Sequence, residues 1–308
     1  MIMAERQGVQ GAIWNDRAVR LLELLGWDHI GDKNMDLKGI DEEFHGIDAL
    51  ACYESPGIDL KQSCLVESKK YAMGSLSATI VKGWIETLKQ KIEVLSQSED
   101  VLTEFPKLQD CCDIDLGIIM CWVHDVSDES FFEKNFEKYL SKAAILTLAK
   151  PLAYRRIVVL TNPKIIRLCS MATILQDNAY DYKFVYPSQL IKDKPLSRTK
   201  VLTIEYALSD FILAEREKKA SKGEKECVIF YFGQIRQEAF MSMHEALTMF
   251  NFLEVDKNLI IYHYEDSDDS RIVMSDLEKY FSNVKVSFEP MTRFELSKEP
   301  AIIKTNSK

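Results

Sequence analysis

Apolar positions recur along the chain with two periods, and the switches between them set out the elements. Across residues 10–25 they fall three and four apart (Ala12, Ile13, Val19, Leu21, Leu22, Leu24 and Leu25), the stripe of an amphipathic helix. Gly26 stands where a helix-ending glycine belongs, and Trp27 follows as an apolar plug. Residues 28–44 are polar and turn-rich and read as a loop. In HGIDALACYES, residues 45–55, the period drops to two: Ile47, Ala49 and Ala51 alternate with Asp48, Leu50 and Cys52, the pattern of a strand. Ser55-Pro56-Gly57 marks a turn, SCLVESKKY (63–71) predicts a second strand, and together these runs predict a β-hairpin. The helical period returns over residues 75–95 with Leu76, Ile80, Trp84, Leu88, Ile92 and Leu95.

The remainder alternates in the same way. Residues 115–123 (DLGIIMCWV) and 154–160 read as buried strands, 129–150 and 163–174 as helices, and 183–186 as a short strand. Pro187 and the stretch KDKPLSRTK (192–200) predict a boundary. Beyond it, 201–212 reads as a helix and 214–225 as a charge-rich helix end or loop. Strand 227–232, helix 238–252, strand 258–264, helix 275–281 and strand 284–288 then predict a small α/β layer on a parallel sheet. The tail, 297–308, reads as loose. The expected domains are therefore 1–192 and 193–308. A length of 308 residues suits two domains, and 12 Gly with 8 Pro leaves little room for long linkers.

Two acids and a base stand out against the hairpin: Asp48 in GID, then Glu67 and Lys69 in VESKK. Strand side chains alternate faces, so Glu67 and Lys69 share one face and Ser68 takes the other. An in-register neighbour would bring Asp48 to the same spot. Two carboxylates that hold Mg²⁺ or Mn²⁺ beside an ammonium suit phosphodiester hydrolysis, in which negative charge develops and a water must be oriented or deprotonated. The main-chain carbonyl of Ser68 adds a further hard oxygen. The competing reading is an ordinary cross-strand salt-bridge cluster. Against it, Glu67 follows Cys64-Leu65-Val66, and burying two acids beside one base without a metal is costly.

Asp48 followed by Glu67-x-Lys69 across a hairpin resembles the PD-(D/E)xK nuclease superfamily. The element order matches as well: helix, GID strand, ExK strand, helix, strand. LLGW and HGIDALA are similar to its resolvase-like branch. The resemblance spans roughly residues 8–190. It implies a restriction-endonuclease-like αβββαβ core; the strand–helix alternation beyond the boundary reads separately as a second, smaller, Rossmann-like α/β domain. The resemblance also implies a metal-dependent nuclease with Asp48, Glu67 and Ser68 as metal ligands and Lys69 on the water. Many members carry a glutamate on the first helix; the equivalent position here is Asn15, with Asp16 beside it, and the resemblance implies that Asn15 or Asp16 contributes to the catalytic site, Asn15 as an amide ligand of the metal or its water. Ser68 replaces a frequently apolar residue, and Ile47 stands where a proline is usual. Lys82, Lys89, Gln90 and Lys91 on the following helix read as a solvated basic face in preference to a substrate contact, and Lys70 as solvated or facing DNA.

Charge refines the partner. The net charge is −9, and residues 1–100 hold 11 Lys and Arg against 17 Asp and Glu, a balance of −6. Nucleic-acid binding over a whole surface favours a basic protein. DNA binding is therefore expected to be shared with a second subunit, a second copy, or both. Acidic nuclease subunits with an added α/β domain resemble those of anti-phage defence systems. A catalytically inactive scaffold is the rival reading, and a nucleotide-sensing second domain, with a phosphate site after Phe232 at Gly233 and Gln234, is another. Seven cysteines (52, 64, 111, 112, 121, 169 and 227) lacking C-x-x-C spacing, and the absence of any membrane-length apolar run, predict reduced thiols in a cytoplasmic protein.

Overall fold

The computed structural model describes residues 2–56, 60–126, 128–147, 156–187, 196–221, 223–249, 252–253, 258–265, 273–275, 281 and 284–304; of residues 2–10, 142–147 and 187 only the backbone is described. Two compact units result. The first holds Met1–Ser55, Asp59–Ile166 and Phe294–Lys308, and the second Pro56–Ile58 and Arg167–Arg293.

The first unit begins with helix α1 (Ile2–Leu24), strand β1 (Asp28–Ile30), a hairpin of β2 (Met35–Lys38) and β3 (Phe44–Ile47), and the strands β4 (Ala49–Glu54) and β5 (Lys61–Tyr71). Helices α2 (Ala78–Leu95) and α3 (Glu99–Glu104), strand β6 (Leu116–Val123), helix α4 (Glu129–Thr147), strand β7 (Arg156–Leu160) and helix α5 (Asn162–Leu175) follow, α5 running on into the second unit. The sheet order is β1-β4-β5-β6-β7. β4 and β5 are antiparallel, whereas β5, β6 and β7 are parallel and need helical crossovers.

The crossovers cover one face of the sheet and α1 covers the other, so β6 is buried at every position and reads as an unbroken apolar run. On one face lies α1. Its Trp14 indole N–H donates to the Met120 carbonyl at 2.9 Å, and its ring lies 5.4 Å from that of Trp122. On the other face α2 buries Val81, Trp84, Leu88, Ile92 and Leu95, joined by Phe132 and Phe136 of α4. α1 ends as its sequence implies: Gly26 takes φ +89°, and the Gly26 and Trp27 N–H groups donate to the carbonyls of Glu23 and Leu22.

Several expectations are corrected. Residues 28–44 contain β1, which pairs with β4, and β2, which pairs with β3. Strands of three and four residues offer too few positions for a period to show. The run 45–55 is two strands, broken at Asp48, whose carbonyl accepts from Asn34 N–H at 3.0 Å instead of continuing a ladder.

In the second unit, β8 (Tyr180–Pro187), β9 (Leu196–Thr199), α6 (Ile204–Ala207), β10 (Phe211–Lys218), β11 (Lys225–Tyr231), α7 (Gln237–Met249), β12 (Asn258–His263) and β13 (Lys285–Pro290) build a sheet of order β13-β12-β11-β10-β8-β9. β11, β12 and β13 are parallel as expected, while β10, β8 and β9 add antiparallel strands. The helix expected over 201–212 shrinks to α6, and the charge-rich 214–225 is strand as far as Lys218, followed by the turn into β11. Its polar side chains are paired across the sheet, which disguised the alternation. Glu215 receives two bonds from Arg198 at 2.7 and 2.8 Å, and Arg216 donates to Glu226 and to Tyr262 at 2.7 Å each. The tail is not loose where described: residues 301–303 form a 3₁₀ turn with Ile303 fully buried.

Some expectations fall partly outside the described residues: Gly57 of the first turn, 148–150 of the third predicted helix, 154–155 of the strand after it, 192–195 of the boundary, 222 of the charge-rich stretch, 250–251 of the helix predicted over 238–252, 276–280 of the last predicted helix, and 305–308. No helix among the described residues is long and apolar enough to cross a membrane.

The close approach of α2 to the sheet is testable at Gly117. A Cβ there would lie 2.8 Å from Leu88 Cδ2 and 2.9 Å from Ile92 Cδ1. Gly117→Ala is expected to lose about 1–3 kcal/mol by overpacking. Urea unfolding checks it, and an unchanged midpoint would mean that the helix yields freely.

Candidate active site

The β4–β5 register creates the site. Ala49 lies opposite Val66, so one residue back Asp48 lies opposite Glu67. The expected in-register encounter of the two acids is thus what the hairpin delivers. Asp48 Oδ2 accepts the Ser68 main-chain N–H at 2.5 Å, which aims the carboxylate across the strand. Lys69, on the face it shares with Glu67, donates to Glu67 Oε2 at 2.6 Å. Ser68 therefore enters the site through its backbone.

A second ammonium completes the cluster. Lys91 of α2 reaches Glu67 Oε1 at 2.5 Å, so each oxygen of Glu67 carries one lysine. Glu67 is 6% exposed. Lys91 belongs to the site, not to a solvated face. Its signal was available: it follows Leu88 by three positions, on the flank of the apolar stripe of α2. Lys82 pairs instead with Glu86, and Gln90 is exposed.

On the opposite side of the hairpin, Asn15 of α1 is 1% exposed. Its amide donates to the Asp48 carbonyl at 2.8 Å and to Asn34 Oδ1 at 2.9 Å, and its Oδ1 accepts from Ser68 Oγ at 3.4 Å. Asn15 therefore holds the main chain at Asp48, where the ladder breaks. Asn34 supports it from a left-handed turn at φ +57°, a conformation asparagine tolerates well. Asn34 was not singled out in the sequence, because its importance comes only from the tertiary meeting of α1 with this turn. Asp16 lies apart from the pocket in an ion pair with Lys33 at 2.6 Å. His45 bonds Asp41 within the β2–β3 hairpin at 3.0 Å.

Burial, together with the facing charge of Glu67, raises the Asp48 pKa above the ordinary carboxylate range; the Ser68 N–H and the two lysines offset this only in part. Burial opposes the charge of Lys69, but Glu67 outweighs it, and the Lys69 pKa rises. Two acids and two ammonium groups balance formally, yet Asp48 remains strained in its ionised form. A cation at Asp48 would relieve that strain. Among the described residues no group of three His, Cys, Asp or Glu side chains is placed to hold a metal. Mg²⁺ and Mn²⁺ do not require one, since hard cations in phosphoryl chemistry are held by one or two carboxylates, waters and substrate oxygens. The donor set fits such an ion.

The sequence profile of the GAPS4 protein PD-(D/E)XK nuclease domain matches residues 3–164. The chain belongs to this family. The five-stranded sheet of this GAPS4-family chain is accordingly a restriction-endonuclease-like core. No curated protein sequence matches the chain. Among solved structures, one described as the crystal structure of Aa-Ago with externally bound siRNA aligns at 14% identity with a TM-score of 0.21, covering 85% of this chain and 40% of the other. The chain thus spans less than half of that protein, and a likeness at this level carries no argument.

In the second unit of the GAPS4-family chain, the place expected for a phosphate after Phe232 holds an acid. Glu265 Oε2 accepts the Ile235 N–H at 2.7 Å, just before α7. The acidic run continuing through residues 266–269 lies outside the described residues.

The raised Asp48 pKa has a sign that can be checked. A carboxyl whose folded pKa exceeds its unfolded one binds extra protons in the fold, so stability falls as pH rises through that window. Asp48→Asn keeps an acceptor for Ser68 N–H and removes the charge. It is expected to unfold at a higher temperature than the unaltered chain at pH 7, with the gain vanishing below the ordinary carboxylate range of about 3.9. Thermal unfolding across pH decides this; a loss of stability at pH 7 would refute the strained-acid account.

Proposed function

We propose that this chain is a divalent-metal-dependent nuclease that hydrolyses DNA phosphodiesters as part of a prokaryotic anti-phage defence complex. The observation that carries the reading is Asp48 held opposite Glu67 with Lys69 on the same face. Family membership supports a nuclease and the defence context. Asp48 and Glu67 would hold Mg²⁺ or Mn²⁺, with the Ser68 carbonyl as a third oxygen. When bound, the ion supplies charge neutralisation at the phosphate and lowers the pKa of its water. Lys69, held as an ammonium by Glu67, orients the attacking water and offsets developing charge. Lys91 fixes the orientation of Glu67, and Asn15 fixes the main chain that carries Asp48.

The net charge of −9 favours a second subunit or a second copy of the chain that shares the DNA contact. A cytoplasmic location fits seven free cysteines, five of them buried. One observation favours the rival reading, an inactive scaffold: both oxygens of Glu67 are already taken by lysines.

Cleavage of linear and circular DNA with Mg²⁺ or Mn²⁺, alone and with the neighbouring gene product, separates the two. EDTA should abolish it. Lys69→Ala is expected to lower the rate by about 10²–10⁴-fold. Lys91→Met should cost about 10–100-fold, as for residues that orient a metal ligand, with partial rescue by Lys91→Arg. Absence of metal-dependent cutting on every DNA, with protection intact in cells carrying Lys69→Ala, would establish the scaffold instead.

A further inference from the structure

After the second unit the chain returns to the first as a strap, beginning at Phe294. Leu296 packs against the apolar core beneath α2, and its carbonyl accepts the amide of the buried Asn162 at 2.8 Å. Pro300 and Ile303 are buried further along. Between these anchors Glu299 is placed on two cations. Its carboxylate pairs with the Arg17 guanidinium and with the Lys70 ammonium, the latter at 3.0 Å. The side-chain exposures are only 10% for Glu299, 19% for Arg17 and 20% for Lys70.

The two cations lie close in sequence to the site. Arg17 is two positions beyond Asn15 on α1, and Lys70 directly follows Lys69 on β5, pointing to the α1 face. A single carboxylate between a guanidinium and an ammonium leaves one positive charge in excess. Asp16, the nearest other acid on α1, is already neutralised by Lys33. In a largely buried ion pair of this kind the cost of desolvation offsets much of the attraction, and the strap is held by its apolar anchors on either side. An acid placed there therefore has more to do with the cations than with docking the strap. A guanidinium with an ammonium beside it is the donor set that holds a phosphate oxyanion.

The geometry points to Arg17 and Lys70 as a backbone-phosphate subsite for nucleic acid, paired with Glu299, which must leave for the phosphate to enter. The inference rests on the nuclease reading for its ligand. It explains how an acidic chain offers a local anchor to a polyanion. Nucleic-acid affinity is then set partly by the strap, whose first residue directly follows Arg293 of the second unit.

The test is fluorescence anisotropy of the full-length chain with a labelled oligonucleotide in EDTA, so that binding is read without cleavage. Single-stranded DNA, duplex DNA and single-stranded RNA of one sequence are the probes. Glu299→Gln, which keeps the shape of the side chain, is expected to tighten binding by roughly three- to tenfold. It should also steepen the dependence of log K on log salt by about 0.9, the increment for one phosphate. Adding Arg17→Ala and Lys70→Ala should cancel the gain. Hydrogen exchange gives a second measure: residues 294–304 of the unaltered chain should lose protection when the oligonucleotide is added. Unchanged affinity in Glu299→Gln, a gain that persists without Arg17 and Lys70, or no binding by any form would each overturn the subsite. Binding as expected by a chain that never cuts would retain the subsite and remove the nuclease. Metal-dependent cutting with affinity unchanged in Glu299→Gln would do the reverse.

Discussion

Everything at the candidate site depends on one register. β4 and β5 pair so that Ala49 meets Val66, and the next position back brings two carboxylates face to face. A slip by one residue would turn Glu67 and Lys69 toward α1 and drive Ser68 into their place. The buried faces on both sides forbid that slip. Leu65 belongs to the apolar cluster under α2, and Cys64 and Val66 are wholly buried toward α1. Core packing therefore enforces the chemistry: the same apolar alternation that stabilises the hairpin selects which polar side chains meet.

Keeping two acids together has an electrostatic cost, and the fold distributes the relief unevenly. Glu67 has an ammonium on each oxygen, whereas Asp48 has a main-chain N–H and sits at a break in the ladder held by Asn15 and Asn34. Its raised pKa reflects burial and the facing acid. The pocket is thus polarised, with an ammonium on each oxygen of one acid and a main-chain N–H on the other. The two helices have different parts in this arrangement. α2 supplies charge through Lys91, and α1 supplies backbone geometry through Asn15.

The chain path adds a further constraint. The first unit is discontinuous, because its last segment arrives only after the second unit is complete. That segment packs Leu296 against the apolar core under α2, buries Ile303 in a turn that packs on α1, and brings an acid to the cations at Arg17 and Lys70. A tail that looks loose as sequence, with scattered apolar positions and polar neighbours, becomes ordered because its few apolar residues find a core already formed.

Long periodic segments declared themselves in the sequence: α1 with its glycine end, α2, the buried β6 and the parallel run of β11 and β12. Their periods extend over enough positions to be unambiguous, and burial on both faces leaves β6 without polar interruptions. The triad of Asp48, Glu67 and Lys69 was legible as well, because period two fixes faces within a strand. Short strands such as β1 and β2 were not legible, nor was β10, whose charges are hidden by pairing with Arg198, Glu226 and Tyr262. The helical period placed Lys91 on the flank of the α2 stripe, but its partner, like the roles of Asn34 and Glu299, was decided by tertiary structure. Each acts on a partner distant in the chain, and a single polar residue carries no periodicity to announce the neighbour that packing will give it. Local pattern determined which residues share a face; only the packing of α1, α2 and the returning strap determined which charges meet.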